Sequence, residues 1–217
     1  MKALPEIRIN YSWLLQSDVS EKICKLNDWE LPSDEQCLEW AENYRKAWVE
    51  KESDILSAMQ EFTGLEFYKN VIDVSLAANI IPKSDPLIIS FRSSADEFVD
   101  LLTHELIHVL LTDNKILTLQ GQERNFELLT EWKSMFAGES DFTTLVHIPV
   151  YAIQKKIMLE IQKQPSRVLR DREFMSKIGA DSYVKSWDYI EANGHEVIIN
   201  KLKKSYTEIA EKMEKKL

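Results

Sequence analysis

The sequence predicts an α+β fold that is mostly helical and has a small sheet before one strongly apolar helix. Apolar residues recur at helical spacing over most of the chain. The segment 65–91 differs, because it is rich in β-branched and aromatic residues and is punctuated by Pro82 and Pro86. The run 101–111 is apolar except for a few polar positions, among them His104, Glu105 and His108. We therefore expect a buried helix there.

Length and composition predict one domain spanning 1–217. We divide it into N-terminal helices (1–64), the sheet with the motif helix and the next helix (65–138), and C-terminal helices (139–217). No Gly/Pro/Ser-rich linker separates two domains. The apolar runs are much shorter than a membrane span, and the N-terminus lacks the apolar core of a signal peptide. These features predict a cytoplasmic protein without a membrane span.

The charge distribution disfavours nucleic acid as a partner. The formal net charge is −9, and residues 1–100 hold 10 Lys and Arg against 19 Asp and Glu. Cys24 and Cys37 are the only cysteines and lack C-x-x-C spacing, so we expect both to be reduced.

The elements follow in a definite order. Residues 5–15 begin with an alternation that suits a short strand, and a short helix follows from residue 18. One long helix is predicted from Ser33 to about Phe62, and Gly64 stops it. Two or three strands are predicted within 65–91, and the motif helix begins after a capping sequence at 93–97. The remaining predicted helices span about 121–136, 149–163 with Pro149 as its first residue, 166–178, 181–192 and 196 to the end.

The motif H-E-x-x-H predicts a metal site. Residues four apart lie on the same helix face, so His104 and His108 can direct two imidazole nitrogens at one Zn²⁺ ion. Glu105 is rotated about 100° from His104, which places its carboxylate beside the metal. There it can accept a proton from a water molecule as a general base.

Two histidines do not complete a catalytic zinc site, because such sites usually have three protein ligands. The longer motif with a third histidine is absent, since Val-Leu-Leu-Thr-Asp-Asn follows His108. Three candidates remain for the third ligand: Glu127, with eighteen residues between it and His108, Glu131 one turn further on, and His147.

This arrangement resembles the gluzincins, the thermolysin-like and aminopeptidase-like zinc peptidases, over residues 93–138. The resemblance implies a zincin-like fold, with His104, His108 and Glu127 as zinc ligands and Glu105 as the general base. It also implies that Glu131 is a carboxylate that orients a ligand histidine. The sequence departs in one respect: the Asn-Glu pair common around the third ligand is Phe126-Glu127 here.

The expected function is zinc-dependent hydrolysis of peptide bonds in a peptide or protein substrate. His147, or Tyr151 one turn later, can donate a hydrogen bond to the oxyanion of a tetrahedral intermediate, a role that gluzincins give to a downstream His or Tyr. The other interpretation of His147 is a core or capping residue. A partner-binding or regulatory module that retains the metal site is an alternative function, and a helical protein without metal is a third.

Overall fold

A computed structural model describes residues 3–91, 94–118, 124–136 and 141–214. It gives the backbone but not the side chains of residues 118, 124–128 and 213–214. The fold is mostly helical with one small mixed sheet, which confirms the predicted α+β class.

Helices account for most of the described chain. The first is continuous from residue 13 to residue 27, because π-helical turns at Gln16–Ser20 join two α-helical pieces. A second π-helical segment, Ile157–Ile161, extends α8. The α-helices are α1 (Trp13–Leu15), α2 (Glu21–Asn27), α3 (Asp34–Val49), α4 (Glu52–Thr63), α5 (Ala95–Thr112), α6 (Lys115–Thr118), α7 (Arg124–Met135), α8 (Phe142–Lys156), α9 (Pro165–Lys177), α10 (Asp181–Asn193) and α11 (His195–Glu214).

The described strands form one sheet in the order β1-β2-β4-β3. These strands are β1 (Glu6–Tyr11), β2 (Val71–Ala77), β3 (Lys83–Ser84) and β4 (Leu87–Ser90). β1 pairs with β2 and β2 with β4 in parallel, while β3 is antiparallel to β4. All of β4 is buried, which explains why its sequence is a continuous apolar run rather than an alternation. The strands predicted at 5–15 and within 65–91 are confirmed.

The outer edge of β1 is closed by side chains. Arg45 Nε donates to the Ile9 carbonyl at 2.7 Å, and Glu52 Oε1 accepts from the Ile7 amide at 3.3 Å. Backbone groups that would otherwise offer pairing to another strand are thereby occupied.

The long helix predicted over 33–62 is wrong, because the structure contains two helices there. The Lys51 amide donates to the Trp48 carbonyl at 2.8 Å, a three-residue step that ends α3. The fully buried Trp48 and Ile55 are seven residues apart, so helical apolar spacing continues across the break and conceals it in the sequence.

The helix predicted to begin at Pro149 is also wrong, since α8 begins seven residues earlier, at Phe142. The Asp141 carboxylate accepts from the Thr144 amide at 2.8 Å and caps the helix. Pro149 lies in the helix interior, where it has no N–H to donate to the Leu145 carbonyl. The helix continues through it because the residues around it are fully buried.

The chain forms two compact units. One comprises Met1–Ser53 with Lys69–Val109 and contains the sheet; the other comprises Asp54–Tyr68 with Leu110–Leu217. Helices α4 and α5 each contribute residues to both units. The predicted single domain stays a prediction. Within the described ranges, no helix has the length and apolar character needed to cross a membrane.

Candidate metal centre

Helix α5, which carries the motif, is anchored at both ends. At its start, Ser94 Oγ accepts from the Glu97 amide at 3.2 Å, as the predicted cap requires. At its end, Tyr206 Oη donates to the Leu111 carbonyl at 2.6 Å, and Asn114 Nδ2 donates to the Leu110 carbonyl at 2.9 Å. Terminal backbone groups that a helix normally leaves unpaired therefore have partners, which fixes the helix that bears the motif.

His104 and His108 converge on one point, as their spacing predicts. Their Nε2 atoms are 3.2 Å apart. Two nitrogens bound tetrahedrally to one zinc ion at about 2.0–2.1 Å are separated by about 3.3 Å, so the pair already has the spacing of two ligands. His104 and Glu105 are each only 8% exposed. The motif thus lies in a largely buried environment, where polar side chains need bonded partners.

His147 lies within α8 and has a defined tautomer. Its Nδ1 atom is 2.7 Å from the Thr143 carbonyl, which can only accept, so Nδ1 carries the proton. Burial lowers the pKa of His147 to about 4, although the hydrogen bond to Thr143 opposes this. The imidazole is consequently neutral near pH 7, with its lone pair on Nε2, the state that binds metals.

The chemistry of these residues fits a metal ion. His104 and His108 have the spacing of two zinc ligands, and His147 is a buried imidazole in the tautomer whose Nε2 carries the lone pair. Three histidines with one open position are a known ligand set of catalytic zinc.

Comparisons with known proteins identify no family for this chain. No family model, curated protein or solved structure matches this chain. The chemistry must therefore be argued from the site itself.

The two carboxylates predicted on the following helix both lie on α7. The side chain of Glu127 is outside the described part of the structure, so its predicted role as a zinc ligand stays a prediction. Glu131 Oε2 accepts a hydrogen bond from Ser205 Oγ of α11 at 2.7 Å. Its predicted role in orienting a ligand histidine also stays a prediction.

Tyr151, the other candidate for stabilising an oxyanion, lies one turn after His147 on α8. It is fully buried, and its ring stacks on Trp187 with centroids 4.5 Å apart. The ring of Tyr183 lies closer to His147, with centroids 4.3 Å apart. The oxyanion roles of Tyr151 and His147 stay predictions.

The sequence offers His147 as a candidate ligand but predicts that it lies at a helix boundary, whereas the structure places it inside α8. The signal that could have corrected this is Asp141 followed three residues later by Thr144, a helix-capping pattern. With the helix starting at Phe142, His147 and Tyr151 fall four residues apart on one face of α8.

Proposed function

We propose that this chain is a zinc-dependent hydrolase whose metal is bound by His104, His108 and His147. The observation that carries the proposal is the convergence of His104 and His108, whose Nε2 atoms are 3.2 Å apart on α5. A hydrogen bond between the two rings would also explain this pair by itself. We infer that His147 is the third ligand because its imidazole is buried and is held by Thr143 in the tautomer that binds metals.

Zinc is the ion that this ligand set favours. Imidazole binds Zn, Cu, Fe and Ni, whereas Mg and Ca prefer oxygen ligands. Three histidines with an open fourth position are a known form of catalytic zinc site. When bound, zinc supplies Lewis acidity that polarises a carbonyl and lowers the pKa of water.

The chain's own residues would perform the proton transfers. Glu105, the residue after His104 on α5, takes a proton from the water that adds to the substrate carbonyl carbon. It then returns the proton to the nitrogen as the carbon–nitrogen bond breaks. The largely buried position of Glu105 excludes most solvent from this step.

The proposal departs from the gluzincin resemblance at the third ligand. If His147 binds the metal, it is no longer the candidate for donating to an oxyanion, and Tyr151 remains the candidate from the sequence. Glu127 would then be outside the ligand set. The zincin-like fold and the peptide substrate continue to rest on the resemblance around the motif. By the same resemblance, the substrate would bind as an added strand at the edge of the sheet within 71–91. The edge strand there is β3.

The test combines metal content with activity. Wild-type protein, purified metal-free and reloaded with zinc, should hydrolyse members of a peptide library. Glu105→Gln should bind the same amount of zinc but lose at least about a hundredfold in rate, since general base catalysis contributes that much. The control is Glu97→Gln, the same substitution two turns earlier on α5, which should keep full activity. Undiminished cleavage by Glu105→Gln would refute the mechanism. Zinc binding without cleavage by the wild type would instead indicate the alternative, a metal-binding module.

A further inference from the structure

A second site lies in the unit that contains the sheet. A cavity of about 440 Å³ opens where β2 and β4 end. Ala78 and Asn79 directly follow β2, and Phe91 directly follows β4, while Gln36 and Trp40 of α3 also line the cavity. The carboxyl ends of neighbouring parallel strands are where open sheets with helices commonly bind ligands, and this volume lies in the usual range for such pockets.

Two aromatic rings form one wall of this cavity. The Trp40 and Phe91 centroids are 5.2 Å apart, with the ring planes inclined by 59°. Trp40 is 36% exposed, so one part of its ring is available to a ligand. Aromatic faces of this kind attract cations, and tryptophan does so most strongly.

The polar residues around the cavity also favour a positively charged ligand. Glu30 contributes a carboxylate, and among the described residues that line the cavity none is Lys, Arg or His. Asn79 is held by a hydrogen bond from its Nδ2 to Cys24 Sγ at 3.1 Å, so its Oδ1 is the remaining acceptor of that amide. Gln36 is fixed by the capping box of α3, in which its Oε1 accepts from the Ser33 amide at 2.9 Å.

The surrounding sequence strengthens this preference. Residues 26–44, which include four of the lining positions, contain six Asp and Glu and no Lys or Arg. Such a segment creates a negative potential that attracts cations and repels anions.

We propose that this cavity binds a guanidinium group. A planar guanidinium stacks on an aromatic face and donates two parallel hydrogen bonds to a carboxylate, so it uses both Trp40 and Glu30. The proposal is independent of the metal centre. The guanidinium can come from an arginine side chain of a peptide or from a small free molecule.

The test is calorimetric titration in the presence of a metal chelator, so that the result does not depend on zinc. The probes are acetyl-Gly-Arg-Gly-amide, its citrulline analogue, which has nearly the same shape without the charge, and argininamide. The arginine peptide should bind at least about tenfold more tightly than the citrulline peptide. Equal affinity of argininamide and the arginine peptide would identify a free guanidinium compound as sufficient, whereas tighter binding of the peptide would identify a peptide ligand.

Variants locate the binding to the cavity. Glu30→Gln should weaken binding about three- to tenfold, and Trp40→Leu at least about fivefold, with unchanged circular dichroism. Glu35→Gln removes a carboxylate of the same acidic segment that does not line the cavity, and it should change affinity less than about twofold. Equal losses in Glu35→Gln and Glu30→Gln would overturn the proposal, because the attraction would then be non-specific. Equal binding of the citrulline peptide, or no binding at about 10 mM, would also overturn it.

Discussion

Acidification should destabilise the metal-free protein through His147. This side chain is 9% exposed, and burial lowers its pKa from 6.5 to about 4. In the unfolded chain the imidazole is solvated and titrates near its ordinary value. Below about pH 6.5 the unfolded state therefore binds a proton that the native state does not bind, and the free energy of unfolding falls as the pH falls. The decline ends near pH 4, where the native imidazole is protonated too.

The magnitude follows from the two pKa values. A separation of 2.5 units corresponds to about 3 kcal/mol at full effect, and about 2 kcal/mol of it is lost between pH 7 and pH 5. Urea unfolding at a series of pH values, with a chelator present, measures this loss. His147→Gln is the matched control, because it cannot be protonated while the carboxylates and other histidines continue to titrate. The wild type should lose about 2 kcal/mol more than the variant over this interval. Equal losses would refute the assignment of a buried, neutral His147.

Two further predictions concern side chains that hydrogen-bond to the backbone of α5 and of the sheet. Tyr206→Phe removes the hydroxyl that donates to the Leu111 carbonyl at 2.6 Å, and because Tyr206 is 1% exposed the loss should be about 1–2 kcal/mol in urea unfolding. Tyr68→Phe, at a 47% exposed position, should change stability by less than about 0.5 kcal/mol, and equal effects would contradict this role of the hydroxyl. Burial raises the pKa of Glu52, although its hydrogen bond from the Ile7 amide opposes this. Ionising Glu52 therefore costs stability as the pH rises above its ordinary value of 4.5, so Glu52→Gln, which keeps an acceptor, should lose less stability than the wild type between pH 4 and pH 7. A steeper loss in the variant would contradict this.

The motif helix could be predicted from sequence because its signals are local. Ser94 precedes acidic residues in the first turn of α5, and His104 and His108 share a face because they are four residues apart. Any helix of this sequence would have these features, so they did not depend on the tertiary structure.

Two predicted helices have wrong boundaries because the sequence pattern at each boundary fits two structures. The seven-residue spacing from Trp48 to Ile55 fits one helix or two helices joined by a tight turn, and the backbone turn decided between them. Pro149 is common at a helix start, yet here burial of its neighbours keeps it inside α8.

The third metal ligand could not be predicted from spacing. His147 is 39 residues beyond His108 in sequence, and which distant residue faces a helix motif is decided by tertiary packing. Spacing along the chain instead favoured Glu127, through its resemblance to one known arrangement. The sequence has three candidates for the third ligand, and our proposal of His147 rests on the burial and neutral state of its imidazole.

Zinc stoichiometry and affinity in three proteins test the central claim most directly. The wild type, His147→Ala and Glu127→Ala should be purified metal-free, shown to be folded by circular dichroism, reloaded and measured by elemental analysis. Our account predicts about one zinc per chain in the wild type and in Glu127→Ala, and at least about a hundredfold weaker binding in His147→Ala. Retention of zinc by His147→Ala together with its loss from Glu127→Ala would contradict the three-histidine site.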